Sequence, residues 1–339
     1  MRRIASAIVW ACVSVLLIAP LAAWSVMALW FRLPAPEWAK LAAAGAFALI
    51  AIATIAAVFT RRRWAALAVF ALVFAGVAIW WSTIRPKADG DWAPDVARQT
   101  TGTLSGDILT LSDVRDFDWR ADDDFTERWS PRSYDLSKLR TLDLFLIYWA
   151  GPEMAHLIMS FGFEGGEQLA WSIEIKREKA GQYSPVADAF KTDALVYLAT
   201  TERDSVRLRS NVRGEDARLY RLRTSPEQAR ALLLEYVAEA NELAKRPAFY
   251  NSITTNCTTA VAKLIRAAGG TLPFDWRIIA NGYLPGYLYD RGAVVTTIPL
   301  SELMALAAID GRARAADRSP DFSQRIRVGV PSPLAQSAK

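Results

Sequence analysis

The chain has 339 residues, of which 52 % are hydrophobic, and a formal net charge of +5. The hydrophobic residues are concentrated before Trp81, and the remainder has the Asp, Glu, Arg and Tyr content of an ordinary water-exposed domain. No Lys/Arg run is interleaved with aromatic residues in that remainder, so nucleic acid is not an expected partner. These totals predict a membrane anchor followed by one sizeable domain.

Three apolar stretches are long enough to cross a bilayer, which takes roughly 20 residues each. We place them at about residues 4–31, 41–59 and 64–81, within an anchor formed by residues 1–84. Arginines precede the first stretch and separate the last two (Arg61–Arg63), so the positive-inside rule puts both groups in the cytoplasm. Everything after Trp81 then lies outside. A cleaved signal peptide at the first stretch is the alternative, and it sends the domain to the same side.

The part of the chain after the anchor divides into three segments. Residues 85–100 contain Pro86, Gly90 and Pro94 and predict a linker. Residues 101–317 form the domain. Residues 318–339 are rich in Ser, Pro and Arg, which predicts a disordered tail.

Strand patterns dominate the first half of the domain and helix patterns the second. Residues 164–167 predict a turn between a strand that ends at Phe163 and a returning strand over residues 168–177. A capping box at Ser225–Gln228 predicts a helix that continues to about Lys245. A second helix begins at Asn256 or Cys257. We therefore expect an α+β domain with an antiparallel sheet.

Cys257 lies in the first turn of this second helix, after the N-cap residue Asn256. The helix dipole and the free backbone N–H groups of a first turn favour a thiolate, and the same groups can stabilise an oxyanion. The apolar residues Val261 and Leu264 share the face of Cys257, which predicts that the thiol packs against the sheet. The best candidate strand carries His156, the only histidine. A helix-start cysteine facing a strand histidine is typical of papain-like thiol enzymes.

A simpler interpretation makes Cys257 a small core residue and His156 a structural one. Glu174 is the candidate for a third group that orients His156. A three-residue turn before its strand places Glu174 opposite His156, whereas a two- or four-residue turn places Ile175 there instead. Acidic residues at 116–124 lack the spacing of an EF-hand loop, so we expect neither a metal nor a cofactor.

Several separated motifs occur in the order seen in a known family. They are Tyr148–Phe161, Ser172-Ile173-Glu174, Arg213-Gly214-Glu215, Tyr250-Asn251 and Asn256-Cys257-Thr258-Thr259. They resemble the Lnb N-terminal periplasmic domain family over about residues 91–290. The resemblance implies a permuted papain-like (NlpC-type) fold, with Cys257 at the position of the nucleophile and His156 at that of the base. It further implies lipoprotein N-acylation.

The function we expect is therefore a Cys–His acyltransferase in the bacterial inner membrane, with a periplasmic catalytic domain and a cytoplasmic N-terminus. It would move an acyl chain from membrane phospholipid to a lipoprotein N-terminus through a thioester on Cys257. A hydrolase of the same fold, acting on cell-wall peptides or lipids, is one alternative, and a non-catalytic scaffold is another. Four apolar residues favour an acyl chain near the thiol unless they are ordinary core: Trp276, Tyr283, Leu284 and Tyr287.

Overall fold

The computed structural model describes residues 2–87, 89–179, 181, 184–252 and 254–333. The chain divides into two compact units. A helical unit comprises residues 1–86 and 183–192, and a larger sheet domain comprises residues 87–182 and 193–339.

The helical unit contains three candidate membrane spans, Ile8–Arg32, Glu37–Ala57 and Arg63–Thr83, with mean hydropathies of 2.2, 2.0 and 2.1. These are the stretches that the sequence predicts. The helices are α1 (Arg2–Val13), a π-helical turn (Ser14–Ile18), α2 (Ala19–Arg32), α3 (Glu37–Ala57) and α4 (Arg63–Thr83). Each span is long and apolar enough to cross a bilayer.

A short segment from the middle of the chain also belongs to the helical unit. It contains α5 (Pro185–Asp188) and continues to Thr192. The ring of Phe190 stacks on Phe31 at 5.6 Å, and the Lys191 ammonium donates a hydrogen bond of 2.9 Å to the Trp81 carbonyl. The chain therefore leaves the sheet domain, packs on the spans and returns.

The described residues of the sheet domain contain ten strands. They are β1 (Gly102–Ser105), β2 (Ile108–Arg115), β3 (Asp118–Trp119), β4 (Phe125–Thr126), β5 (Trp129–Asp135), β6 (Leu139–Tyr148), β7 (Ala155–Phe163), β8 (Gln168–Lys176), β9 (Ala194–Thr200) and β10 (Asp216–Arg221). The main sheet has the order β1-β2-β9-β8-β7-β6-β10, β5 pairs with β2, and β3 and β4 form a separate hairpin.

The sheet is mixed, whereas the sequence predicts an antiparallel one. One parallel bridge, between Arg115 of β2 and Thr200 of β9, accounts for the difference. The pairings among β6, β7, β8, β9 and β10 are all antiparallel, and short connections join β6 to β7 and β7 to β8. The α+β class is thus confirmed.

Helices cover both faces of the sheet. On one face lie α7 (Pro226–Lys245), α8 (Cys257–Ala267), α9 (Leu284–Asp290) and α10 (Leu300–Ala307), which bury the larger core. On the other lie α6 (Glu202–Arg207), a π-helical turn (Leu208–Val212), α11 (Asp310–Ala315) and α12 (Phe322–Arg325). The predicted capping box at the start of α7 is present.

The predicted linker at residues 85–100 is wrong over its second half. Ala93, Val96 and Thr100 are buried, and Asp95 accepts two hydrogen bonds from Arg177 at 2.9 and 3.1 Å. Proline and glycine occur in this segment because its backbone turns where it packs on the domain. Its apolar residues at 93 and 96 contribute to a small core with Val196 and Leu198.

The predicted disordered tail is also wrong for residues 318–333, and residues 334–339 lie outside the described part of the chain. Phe322, Ile326 and Val330 are buried against the sheet. Between them, Arg327 bonds Glu202 at 2.5 and 2.7 Å and Asp143 at 2.9 Å. The polar composition of this segment gave a wrong prediction because Arg327 is buried and bonds two buried carboxylates.

Substitution Arg327→Ala should lower the free energy of unfolding by about 3–5 kcal/mol, because it leaves the buried Glu202 without its cationic partner and Asp143 with Arg221 alone. Thermal unfolding of the full chain in detergent measures this. Arg325→Ala is the matched control: it removes an exposed pair with Asp321 and should cost less than about 1 kcal/mol. Equal losses from the two variants would contradict the assignment.

Candidate active site

Cys257 is the first residue of α8, as the sequence predicts. The Asn256 side chain accepts hydrogen bonds from the backbone N–H groups of Thr258 (3.0 Å) and Thr259 (2.9 Å). In return, the Asn256 N–H donates to the Thr259 hydroxyl at 2.9 Å, which completes a capping box. This cap fixes the start of the helix and holds the thiol at 7 % exposure.

The cap changes which backbone groups are available to an oxyanion. Thr258 and Thr259 have their N–H groups bonded to Asn256, so two of the first-turn donors expected from the sequence are already used. The N–H of Cys257 itself has no hydrogen bond to the described residues. It is therefore the donor that a developing negative charge beside Cys257 would use.

The turn between β7 and β8 has three residues, Glu164–Gly166, closed by a 2.9 Å hydrogen bond from the Phe163 N–H to the Glu167 carbonyl. Gly165 and Gly166 have φ angles of 84° and 89°, which glycine adopts without a steric cost. The resulting register pairs Ile158 with Ser172. Continued by two residues, it places Glu174 opposite His156.

Glu174 and Ser172 both bond the same nitrogen of His156. The His156 Nε2 lies 3.0 Å from the Glu174 carboxylate and 2.8 Å from the Ser172 hydroxyl, which itself donates to Glu174 at 2.7 Å. These contacts fix the ring orientation and leave Nδ1 for the thiol. Of the two registers that the sequence left open, the structure has the one that brings Glu174 to His156.

The thiol and the imidazole approach each other from opposite faces of the sheet. Leu157 and Met159 belong to the core under α8, whereas Ile158 belongs to the core of the other face, and His156, two residues before it, shares that other face. Within the described ranges, β7 and β8 pair only from Ile158 and Ser172 onward, although β8 continues to Lys176. The two side chains meet where this pairing ends.

Beyond the end of the β7–β8 pairing, the side chain of Asn281 bonds the backbone of β7 in place of β8. Its side chain accepts from the Ala155 N–H at 2.8 Å and donates to the Ala155 carbonyl at 2.6 Å. It also donates to the Thr258 hydroxyl at 2.6 Å. One amide thus joins the start of β7 to the first turn of α8. Sequence reasoning missed Asn281, since a loop asparagine gives no signal without its partners.

Electrostatics in this site favour a charged pair. Burial and the Arg209 charge act to lower the pKa of His156, but the Glu174 carboxylate and the bonds to Cys257 and Glu174 outweigh them, so the pKa is raised. Burial acts to raise the pKa of Cys257, yet its bond to His156, the imidazolium charge and the Leu157 N–H lower it overall. Thiolate and imidazolium therefore stabilise each other.

Arg209 is a further member of the site that the sequence did not reveal. It lies in the π-helical turn after α6 and donates to Glu174 at 3.1 Å and to Glu215 at 3.3 Å. Despite the cost of burial, the pKa of Glu174 lies well below its ordinary value because of the charges of His156 and Arg209. Glu174 is therefore ionised beside the charged His156.

Other residues singled out from the sequence fall into two groups. Leu284 and Tyr287 are buried core residues, while Trp276 and Tyr283 are exposed with ring centroids 5.3 Å apart. The acidic residues of 116–124 bind arginines: Asp116 bonds Arg132, and Asp122 bonds Arg213.

Three candidate spans and an α+β domain define a membrane-associated protein with one domain outside the bilayer. Residues 125–282 match the family profile of the Lnb N-terminal periplasmic domain. The match confirms the resemblance seen in the sequence over this region, and together with the candidate spans it supports a membrane-anchored protein with a periplasmic domain. Neither a curated protein nor a solved structure matches the chain significantly.

The substitution Glu174→Gln should raise the apparent pKa of the Cys257 thiol, because loss of the carboxylate charge makes the imidazolium less stable. The rate of Cys257 alkylation by iodoacetamide against pH, in a Cys12→Ala background, measures this. In the parent protein the midpoint should lie below about 8.5, the ordinary thiol value.

Glu178→Gln is the matched control, because Glu178 is an exposed carboxylate that pairs with Lys87. Its pH profile should match that of the parent. An unchanged profile in Glu174→Gln would show that the carboxylate does not influence the thiol.

Proposed function

We propose that this chain is a Cys–His acyltransferase that transfers an acyl chain from phospholipid to the N-terminal amine of a lipoprotein through a thioester. The observation that carries the proposal is the buried thiol of Cys257 in contact with an imidazole that Glu174 orients. A core cysteine needs no such partner, whereas a nucleophile needs a base and an orienting group.

In the first half-reaction, the Cys257 thiolate attacks the ester carbonyl carbon of a phospholipid. The N–H of Cys257 stabilises the oxyanion. The ester C–O bond then breaks, and the His156 imidazolium gives its proton to the departing alkoxide of the lysophospholipid. The acyl chain is left on Cys257 as a thioester.

In the second half-reaction, an amine attacks the thioester carbonyl and His156, now neutral, accepts the amine proton. The C–S bond breaks, which releases the amide and restores the thiolate–imidazolium pair. The acceptor we propose is the N-terminal diacylglyceryl-cysteine of a lipoprotein. A terminal amine has an ordinary pKa of about 8, so it loses its proton readily and neutral His156 is a sufficient base.

The anchor supports this choice of substrates. Phospholipid and lipoprotein both reside in the bilayer, and the three candidate spans keep the thiol domain beside them. We further propose that the spans lie in the bacterial inner membrane with the N-terminus in the cytoplasm. The argument for this orientation is Arg61–Arg63, between the second and third spans.

The full chain in nanodiscs that contain labelled phospholipid should acquire one acyl group that hydroxylamine removes, as measured by intact mass. The adduct should be absent in Cys257→Ala and strongly reduced in His156→Ala. Cys12→Ala is the matched control, because it removes the other free cysteine, and it should keep the adduct.

Addition of a diacylglyceryl-peptide should discharge the adduct to an N-acyl peptide, and an N-acetylated peptide should not. Free fatty acid released at the same rate without any peptide would instead assign a lipid hydrolase. No adduct, with Cys257 still readily alkylated, would exclude phospholipid as the donor.

A further inference from the structure

Six large apolar side chains stand exposed in two short segments of the sheet domain. Their exposed fractions run from 38 % to 79 %, and we call them the apolar rim: Trp149, Met154, Phe274, Trp276, Ile279 and Tyr283. Single exposed apolar residues are ordinary on protein surfaces, but six within two segments need an explanation.

The two segments form one surface beside the candidate active site. The Gly282 N–H donates to the Glu153 carbonyl at 3.0 Å, and its own carbonyl accepts from the Tyr148 hydroxyl at 2.8 Å. A Cβ at position 282 would lie 2.0 Å from the Pro152 carbonyl oxygen, so only glycine permits this approach. Asn281, between them, holds Ala155 and Thr258.

The rim has the composition of a membrane interface. Tryptophan and tyrosine are the residues enriched at the level of the lipid headgroups. The one cation of the 274–283 segment, Arg277, bonds Asp275 at 2.9 Å and Asp290 at 2.6 Å. Its charge is thus neutralised within the domain, which lowers the cost of bringing the segment into a less polar medium.

The chain itself identifies the bilayer as the available partner. Only residues 84–86 separate the end of α4 at Thr83 from the sheet domain, a reach of about 10 Å. A second connection is made by the segment at 183–192, which belongs to the helical unit. Two short connections thus tether the domain to the candidate spans, so the lipid around those spans is the apolar partner that we choose for the rim.

We infer that the apolar rim inserts into the headgroup region of the outer leaflet and is the route by which a lipid acyl chain reaches Cys257. Insertion requires only the exposed residues and the tethers. The route for the acyl chain rests on the proposed function.

Spin-label depth measurements test insertion without any catalysis. The full chain carries one nitroxide at Ile279→Cys in a Cys12→Ala, Cys257→Ala background, in nanodiscs that hold one copy. Val328→Cys is the matched control, since Val328 is 69 % exposed and adjoins α12 on the other face of the sheet. The label at 279 should be more accessible to oxygen than to a water-soluble nickel chelate, and the label at 328 the reverse.

Equal accessibility of both labels to the nickel chelate would overturn the inference. A second copy of the chain would instead cover the rim if two results occur together. The label at 279 is accessible to the nickel chelate in single-copy nanodiscs, and labels at 279 show dipolar broadening in nanodiscs that hold two copies.

A second arm tests the route. Ile279→Asp should slow formation of the Cys257 adduct from bilayer phospholipid by about tenfold, while alkylation of Cys257 by iodoacetamide keeps its rate. Val328→Asp should change neither rate. If Ile279→Asp forms the adduct as fast as Val328→Asp does, the rim is not the route by which the acyl chain reaches Cys257. If the parent forms no adduct, the proposed function fails while the depth measurement still decides insertion.

Discussion

The register between β7 and β8 is the constraint from which the candidate site follows. A three-residue turn with two glycines at positive φ sets it, and it places the polar side chains of Ser172 and Glu174 on the face of His156. A strand exchanges its faces when it slips by one residue. With a turn one residue longer or shorter, Glu174 would enter the apolar core under α8 and His156 would face an isoleucine.

The charged groups of the site contact one another in series: Arg209 bonds Glu174, and Glu174 bonds His156. This guanidinium acts to lower the pKa of His156, yet by holding Glu174 ionised it preserves the charge that raises it. If His156 were its only cationic partner, the buried Glu174 carboxylate would have none once the histidine lost its proton. Arg209 is a second partner, so Glu174 keeps a cationic partner in both protonation states of His156.

Local sequence signals predicted much of this molecule. The capping residues at Ser225 and Asn256 define the starts of α7 and α8, because caps depend on bonds within a few residues. Apolar stretches of bilayer length predicted the spans. The pairing of Cys257 with His156 was also within reach, since the sequence has one histidine and the helix start is a recognisable position for a thiol.

The remaining members of the site depend on contacts that are distant in sequence. Asn281 bonds a strand that begins 126 residues earlier, and Arg209 bonds Glu174 from a π-helical turn 35 residues away. Neither leaves a local pattern. The prediction for the C-terminal segment was wrong for the same reason. The segment has the composition of a solvated tail, and the partners of Arg327, Glu202 and Asp143, are distant in sequence.

The chain between β8 and β9 leaves the sheet domain and contributes residues 183–192 to the helical unit. These strands are neighbours over seven paired positions, and β8 carries Glu174. The connection between them packs Phe190 and Lys191 against Phe31 and Trp81 of the helical unit. The strand pair that orients His156 is thus closed by a segment docked on the spans. A sheet domain cut from its anchor would therefore lose the packing partners of the segment that joins the Glu174 strand to β9.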